Sequence, residues 1–258
     1  MNEFQQQLIT AMRTRRSIRR FTNVPIPRYA LEILVDMAQY APCPSGYMVW
    51  KFVVVTEDTK LKAVRDALKS FYQGPGSGAL TPFLNAYIQT DFYQQRLREF
   101  EVVGISGCEQ CPTQCEKGKG EFNAEVYACR TWLAYRTATA LIVVLSDPIQ
   151  RNQYRKNAKT KTEDTSTIKR YEETIYKFEI AAANLAIQNI LITAHCLGLG
   201  ACYTHCANIL EPQIKKILKI PRGPELVGII CLGYPDVEPT LKPRQAPQDY
   251  AFFEEYQQ

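Results

Sequence analysis

An α+β sandwich is the fold the sequence predicts, and three observations carry it. Strand-like segments rich in Val, Ile and aromatic residues are interspersed with amphipathic helical patterns. No Gly-x-Gly-x-x-Gly lies between any of them, so a sheet with a Rossmann phosphate loop is not indicated. One helical segment, Tyr171 to Leu197, is apolar nearly all round, more than a single small sheet covers; burial against a second copy of the chain is expected.

The elements follow in order. Phe4, Leu8 and Met12 lie four apart and form one stripe of a first helix expected to pack, followed by a basic loop, TRRSIRRFTN. Leu31, Leu34, Val35 and Ala38 mark a second amphipathic helix, stopped near Pro42 and Pro44, which have no backbone N–H to donate. Trp50 to Val55 reads as a core strand, Lys60 to Ser70 as a surface helix, Gly74 to Gly78 as a loop and Pro82 to Phe100 as a further helix. Ala140 to Leu145 is a second strand, ended by Asp147 and Pro148. The charged stretch from Arg151 to Thr167 is expected to be a mobile, lid-like excursion at about 150–168. Gly198 and Gly200 end the long helix. Ala201 to Cys206 offers a third strand, Glu211 to Leu218 a helix with Pro212 in its first turn, and Leu226 to Gly233 a fourth strand. No repeat or linker divides the chain, so 1–258 is expected to be a single domain, with a Cys-rich insert at about 104–130.

Composition narrows the function. The chain has 258 residues, 46% of them hydrophobic, enough for one sizeable core. Its net charge of +5 is modest and its basic residues are scattered, so no nucleic acid is expected. The longest apolar stretch, Ile180 to Tyr203, contains Asn184, Gln188, Asn189 and His195, which bare lipid would penalise; no membrane span is expected. The N-terminus MNEFQQQLIT has no export pattern, and nine cysteines in a reducing cytoplasm would remain largely thiols. A cytoplasmic protein is expected.

A flavin mononucleotide site needs cations for the phosphate and donors near the pyrimidine edge, where charge accumulates on reduction. Arg15, Ser17 and Arg19 alternate in the basic loop, so an extended backbone turns all three to one side; Arg16 lies between them. Lys242 and Arg244 alternate likewise near the other end, stiffened by Pro239 and Pro243, and are candidates to close on the same phosphate.

The ordered segments RRSIRRF, APCPSGYMVWKFVVV, AAANLAIQNILITAHCLGLGACY and VGIICLGYPDVEPTLKPR together resemble the FMN-dependent nitroreductase family. The resemblance implies a three-layer sandwich: a central, mostly antiparallel sheet flanked by helices, in an intertwined homodimer. It implies that Arg15, Arg16, Ser17 and Arg19 bind the phosphate, ribityl and pyrimidine end of FMN, and that Lys242 and Arg244 complete the phosphate site. It implies a loop of Pro42, Cys43, Pro44, Ser45 and Gly46 offered to the flavin by the partner protomer. Here the sequence departs from the family pattern, with Gly46 for Asn, Met48 for Gln and Val49 for Pro. It implies a backbone contact to flavin N5 and O4 along Cys202 to His205, at Tyr203 and Thr204. No catalytic side chain is assigned, because the cofactor carries the chemistry.

Cys108, Cys111, Cys115 and Cys129 follow Cys-x2-Cys-x3-Cys spacing with a fourth cysteine beyond, a soft ligand set for a 4Fe-4S cluster or zinc. Cys43 lies near the expected flavin edge, while Cys196, Cys202, Cys206 and Cys231 read as core residues, and His195 as a satisfied core histidine. The sequence thus leads to an FMN-dependent oxidoreductase moving electrons from NAD(P)H or another donor to a small organic acceptor. Two alternatives stand beside it: a flavin-dependent dehydrogenase or reductase fed through a Cys-ligated iron-sulfur cluster, and a metal-binding or electron-transfer module with a degenerate flavin pocket.

Overall fold

In a computed structural model, which describes residues 1–73, 124–159, 164–238, 244, 246–247 and 250–253, the chain forms a four-stranded antiparallel sheet between two layers of helices. The sheet comprises β1 (Trp50–Val55), β2 (Ala140–Ser146), β3 (Gly200–Thr204) and β4 (Glu225–Gly233), in the order β1-β2-β4-β3. All seven residues of β2 are buried. Alternation divides them: Leu141, Val143 and Leu145 join one core, and Ala140, Ile142 and Val144 the other.

The first core is closed by α3 (Asp58–Gln73) through Leu61, Val64 and Leu68, by α4 (Ala124–Thr137) through Trp132 and Tyr135, and by α7 (Glu211–Leu218) through Ile214. On the opposite face lie α2 (Arg28–Ala38), with Leu31 and Leu34, and the 32-residue α6 (Thr165–Cys196), with Ala182, Ala183, Ala186, Ile187 and Ile190. Three of those five residues are alanines, which let α6 lie close to the sheet. Asp164 caps its start by accepting from the backbone N–H of Ser166 and Thr167.

Several expectations are revised. α1 (Glu3–Thr14) forms behind a capping box between Asn2 and Gln5, but it buries no residue: Phe4, Leu8 and Met12 all face solvent. Trp50 to Val55 is an edge strand with only its two end residues buried, because β2 pairs it on one side alone. The stretch at about 150–168 is largely helical, since α5 spans Ile149–Lys159 and α6 begins at Thr165. Arg151 anchors α5 to Glu179 of α6 at 2.5 Å and to Glu225 of β4 at 2.9 Å. The helix expected over 82–100 lies outside the described residues, as do Cys108, Cys111 and Cys115.

Candidate functional site

The basic loop after α1 lies against the outer edge of β3. Ser17 bridges Ala201 in parallel fashion, and the Ile18 N–H donates to the Ala201 carbonyl at 3.0 Å. Ile18 and Phe21 point inward and are buried. Glycines on the sheet make that approach feasible: a Cβ on Gly200 would lie 2.9 Å from Ile18 Cγ2, and one on Gly233 would lie 2.6 Å from Phe21 Cβ. Further along, Thr22 N–H donates to Tyr234 O at 2.9 Å, Asp236 N–H donates to Arg20 O at 3.1 Å, and Arg20 pairs with Asp236. Two apolar anchors and this ladder hold the intervening cations in place.

Arg15 and Arg16 line an open cavity of about 180 Å³, together with Ile18, Leu191, His195 and Ala201. Burial holds the Arg15 guanidinium below its ordinary range, and Arg244 adds to the effect; Arg16 is lowered by burial, then by Arg244 and Arg15. Arg244, far along the chain, is therefore near enough for its charge to be felt by both arginines, although it does not line the cavity. The sequence drew Arg15, Ser17 and Arg19 to one side, whereas the cavity takes Arg15 and Arg16. Ser17 is exposed beside them, and Arg19 donates to the Ser17 carbonyl at 3.3 Å. Lys242 lies outside the described residues.

Charge balance at this cluster is incomplete. Among the described residues, the arginines found in ion pairs are Arg20, Arg28, Arg151 and Arg155. Arg16 turns Nη1 back onto the carbonyls of Arg13 and Arg15, at 2.6 and 2.7 Å, and its buried Nε has no hydrogen-bond partner. Buried donors without acceptors and mutually repelling cations are costly, and an anion relieves both costs.

His195 is not the satisfied core histidine the sequence suggested. It is half-buried on the cavity wall with Nε2 2.8 Å from Thr14 Oγ1, and burial, then Arg15 and Arg16, lower its pKa. Its legible signal was its place in the last turn of a helix ending at a left-handed glycine, Gly198, just ahead of the strand beside the cations. His205 is exposed, with Nδ1 donating to Val227 O at 2.8 Å.

β3 is an edge strand, so its backbone beyond Ala201 borders the same region. The Tyr203 hydroxyl donates to Val227 O at 2.9 Å, and burial pushes its pKa up to about 12; the Thr204 hydroxyl is buried and bonds Tyr135 Oη. Both side chains are thus engaged within the fold, leaving the backbone as what these residues present.

The loop Pro42 to Gly46 is elsewhere. It leads into β1, at the opposite edge of the sheet from β3, and within one chain it does not meet the arginines. Ser45 (φ 52°) and Gly46 (φ 72°) both take left-handed backbone, strained for serine and comfortable for glycine. Cys43 is half-buried against the α6 core. Cys202 and Cys231 are buried and Cys206 is half-buried, whereas Cys196, read as a core residue, is exposed at the end of α6. Cys129 falls within α4, and among the described residues no cluster of His, Cys, Asp or Glu could hold a metal ion. No helix among the described residues is long and apolar enough to cross a membrane.

Comparison with known proteins matches the Nitroreductase family model over residues 12–234. A 4-nitrobenzoate reductase of Nocardioides sp. (strain LMS-CY) is 24% identical over 229 residues, covering 88% of this chain and 80% of the relative. Among solved structures, nitroreductase A from Vibrio parahaemolyticus aligns with TM-score 0.59 at 20% identity, over 100% of this chain and 78% of that one. The NADPH:FMN oxidoreductase of Vibrio harveyi, complexed with NAD+, aligns with TM-score 0.58 at 19% identity, over 97% and 78%.

Proposed function

This chain belongs to the nitroreductase family and is a flavin-dependent oxidoreductase, and we propose that it works as an FMN-binding homodimer passing electrons from NAD(P)H to a small organic acceptor. One observation carries the choice of FMN: among the described residues Arg15, Arg16 and Arg244 have no acidic partner, and the buried Arg16 Nε is unbonded. A phosphoryl group supplies what is missing, since guanidinium pairs bind it with charge-assisted hydrogen bonds. Lys242 joins the same phosphate.

When bound, FMN carries two electrons between donor and acceptor. The chain's residues position it. Arg15, Arg16, Lys242 and Arg244 hold the phosphate, Ser17 faces the ribityl chain, and Arg19 stabilises the negative charge that reduction places on the pyrimidine end. The free edge of β3 at Tyr203 and Thr204 offers backbone donors to the ring. The loop Pro42, Cys43, Pro44, Ser45 and Gly46 approaches the flavin of the partner, which accounts for its distance from the arginines of its own chain. Exposed Phe4, Leu8 and Met12 on α1, with exposed Phe178 and Leu185 on α6, supply the apolar surface a dimer would cover. A cytoplasmic setting is supported by nine cysteines.

Titration of flavin-free protein with FMN and with riboflavin tests the reading. Tight FMN binding, with riboflavin weaker by about 100-fold or more, is expected from the loss of several charged hydrogen bonds. Equal binding of the two would overturn the phosphate assignment. NAD(P)H oxidation by the loaded protein in the presence of 4-nitrobenzoate and other small oxidants addresses donor and acceptor. Light scattering that gives a monomer mass for the FMN-loaded protein would remove the dimer.

The Cys-x2-Cys-x3-Cys spacing favours a second reading, in which Cys108, Cys111, Cys115 and Cys129 hold a 4Fe-4S cluster or zinc beside the flavin system. Iron and zinc analysis with an anaerobic absorption spectrum separates these. Protein free of both metals rejects the second reading.

A further inference from the structure

Thr14 Oγ1 has one proton, and it donates that proton to the Thr10 carbonyl at 2.8 Å. Toward His195 Nε2, also at 2.8 Å, the same oxygen can only accept, so Nε2 carries a hydrogen. Nδ1 is then the nitrogen that gains or loses a proton. The ring lines the cavity that Arg15 and Arg16 enter.

The surroundings of His195 are one-sided in charge. From the loop after α1 come Arg15 and Arg16, with Arg244 coupled to both; α1 offers the neutral Thr14, β3 offers Ala201, and α6 itself contributes Leu191. No carboxylate lines the cavity among the described residues. In this setting burial and the two guanidiniums keep the imidazole neutral. A dianion seated between the arginines would offset their repulsion and add an opposite charge of its own.

We propose that His195 is a titratable part of the anion site, neutral when the site is empty and protonated at Nδ1 when a phosphoryl group occupies it. The proposal rests on reading the cavity as the phosphate end of the FMN site. Binding would then take up a proton from solvent, and affinity would rise as pH falls through the imidazole range. Thr14 is a positioning residue, since its committed hydroxyl fixes which nitrogen titrates.

The chain has only two histidines, which makes a direct test practical. Ring resonances of the wild-type protein, assigned with a His205→Gln variant, are followed against pH with and without inorganic phosphate and with FMN. The His195 midpoint is expected to rise by about one pH unit when either ligand is present. In parallel, FMN affinity of His195→Gln should fall on the order of tenfold below wild type at pH 6, with the gap closing by pH 8. Riboflavin, lacking the phosphate, should show no such difference. A phosphate-dependent rise in the His195 midpoint without FMN binding would uphold the role of His195 and reject the flavin reading. FMN binding with an unmoved His195 midpoint would overturn the proposal and leave the flavin reading standing. If neither ligand binds, both are overturned.

Discussion

Two of the half-buried arginine groups among the described residues are balanced in opposite ways. Arg151 is 14% exposed, bonds Glu179 and Glu225, and lies over the Tyr176 ring at 4.7 Å. Arg15 and Arg16 are also withdrawn from water, but their neighbours are each other, Arg244 and a neutral His195. The first group finds its counter-charges within the fold and ties α5 to α6 and β4, although Glu179 Oε1 is left without a hydrogen-bond partner. The second has no counter-charge among the described residues, which is what the proposed anion site would supply. Absence of a carboxylate is not enough by itself: half-buried Arg65 is in none of the ion pairs either, but the carbonyls of Tyr135 and Ala138 accept from its guanidinium, whereas Arg16 leaves a buried Nε without an acceptor.

The largest effect should come from breaking the balanced group. Arg151→Ala leaves Glu179, 0% exposed, as a buried carboxylate without its cation, and should cost about 3–5 kcal/mol in denaturant unfolding. The double change Arg151→Met with Glu179→Leu should recover much of that loss, because it removes both charges together. If the single and double variants unfold alike, the pair is not what ties these elements.

The open group should behave in the opposite sense. Arg15→Ala is expected to weaken FMN binding by roughly 10- to 100-fold, while flavin-free protein unfolds at the same or slightly higher denaturant, since a repelling charge is lost. A matching loss of stability would mean that Arg15 is structural, like Arg151. Salt sharpens the contrast with a smaller effect: raising ionic strength from about 0.05 to 0.5 M should loosen FMN a few-fold, with little change in the stability contributed by the shielded Arg151 group.

The smallest effect is one of pH on flavin-free protein. The folded pKa of His195 is lowered, so on acidification the unfolded chain takes its proton before the folded chain does. Stability therefore falls as pH drops through about 6.5, the ordinary histidine value, and levels off below the folded value. Melting curves of His195→Gln should lose that part of the acid dependence. A variant as sensitive as wild type would assign the slope to other groups.

Local pattern and long-range placement were legible to different degrees. The four strands and α7 were readable because each combines β-branched or helix-spaced apolar residues with clear stops, such as Pro148 after β2 and Pro212 in the first turn of α7. The edge position of β1 was not, since VVV reads the same whether one neighbour or two will pair it. The α1 stripe was seen, but a single sequence cannot distinguish an apolar face that meets its own core from one left exposed on the chain's surface. At the site, the cationic types were visible at both ends of the chain. Alternation pointed to Arg15, Ser17 and Arg19 and the family resemblance added Arg16, but which of them line the cavity was not legible, because the loop meets β3 through a single bridge rather than as a regular strand. His195 escaped because apolar neighbours on α6 suggested burial, and nothing local reveals that the helix ends beside Arg15 and Thr14.

The bond between Thr14 and His195 joins residues 181 positions apart, and the charge of Arg244, from beyond β4, is felt at the same cluster. The anion site is thus assembled from the beginning of the chain, the end of α6 and the segment beyond β4, and no fragment made early in synthesis contains all its parts.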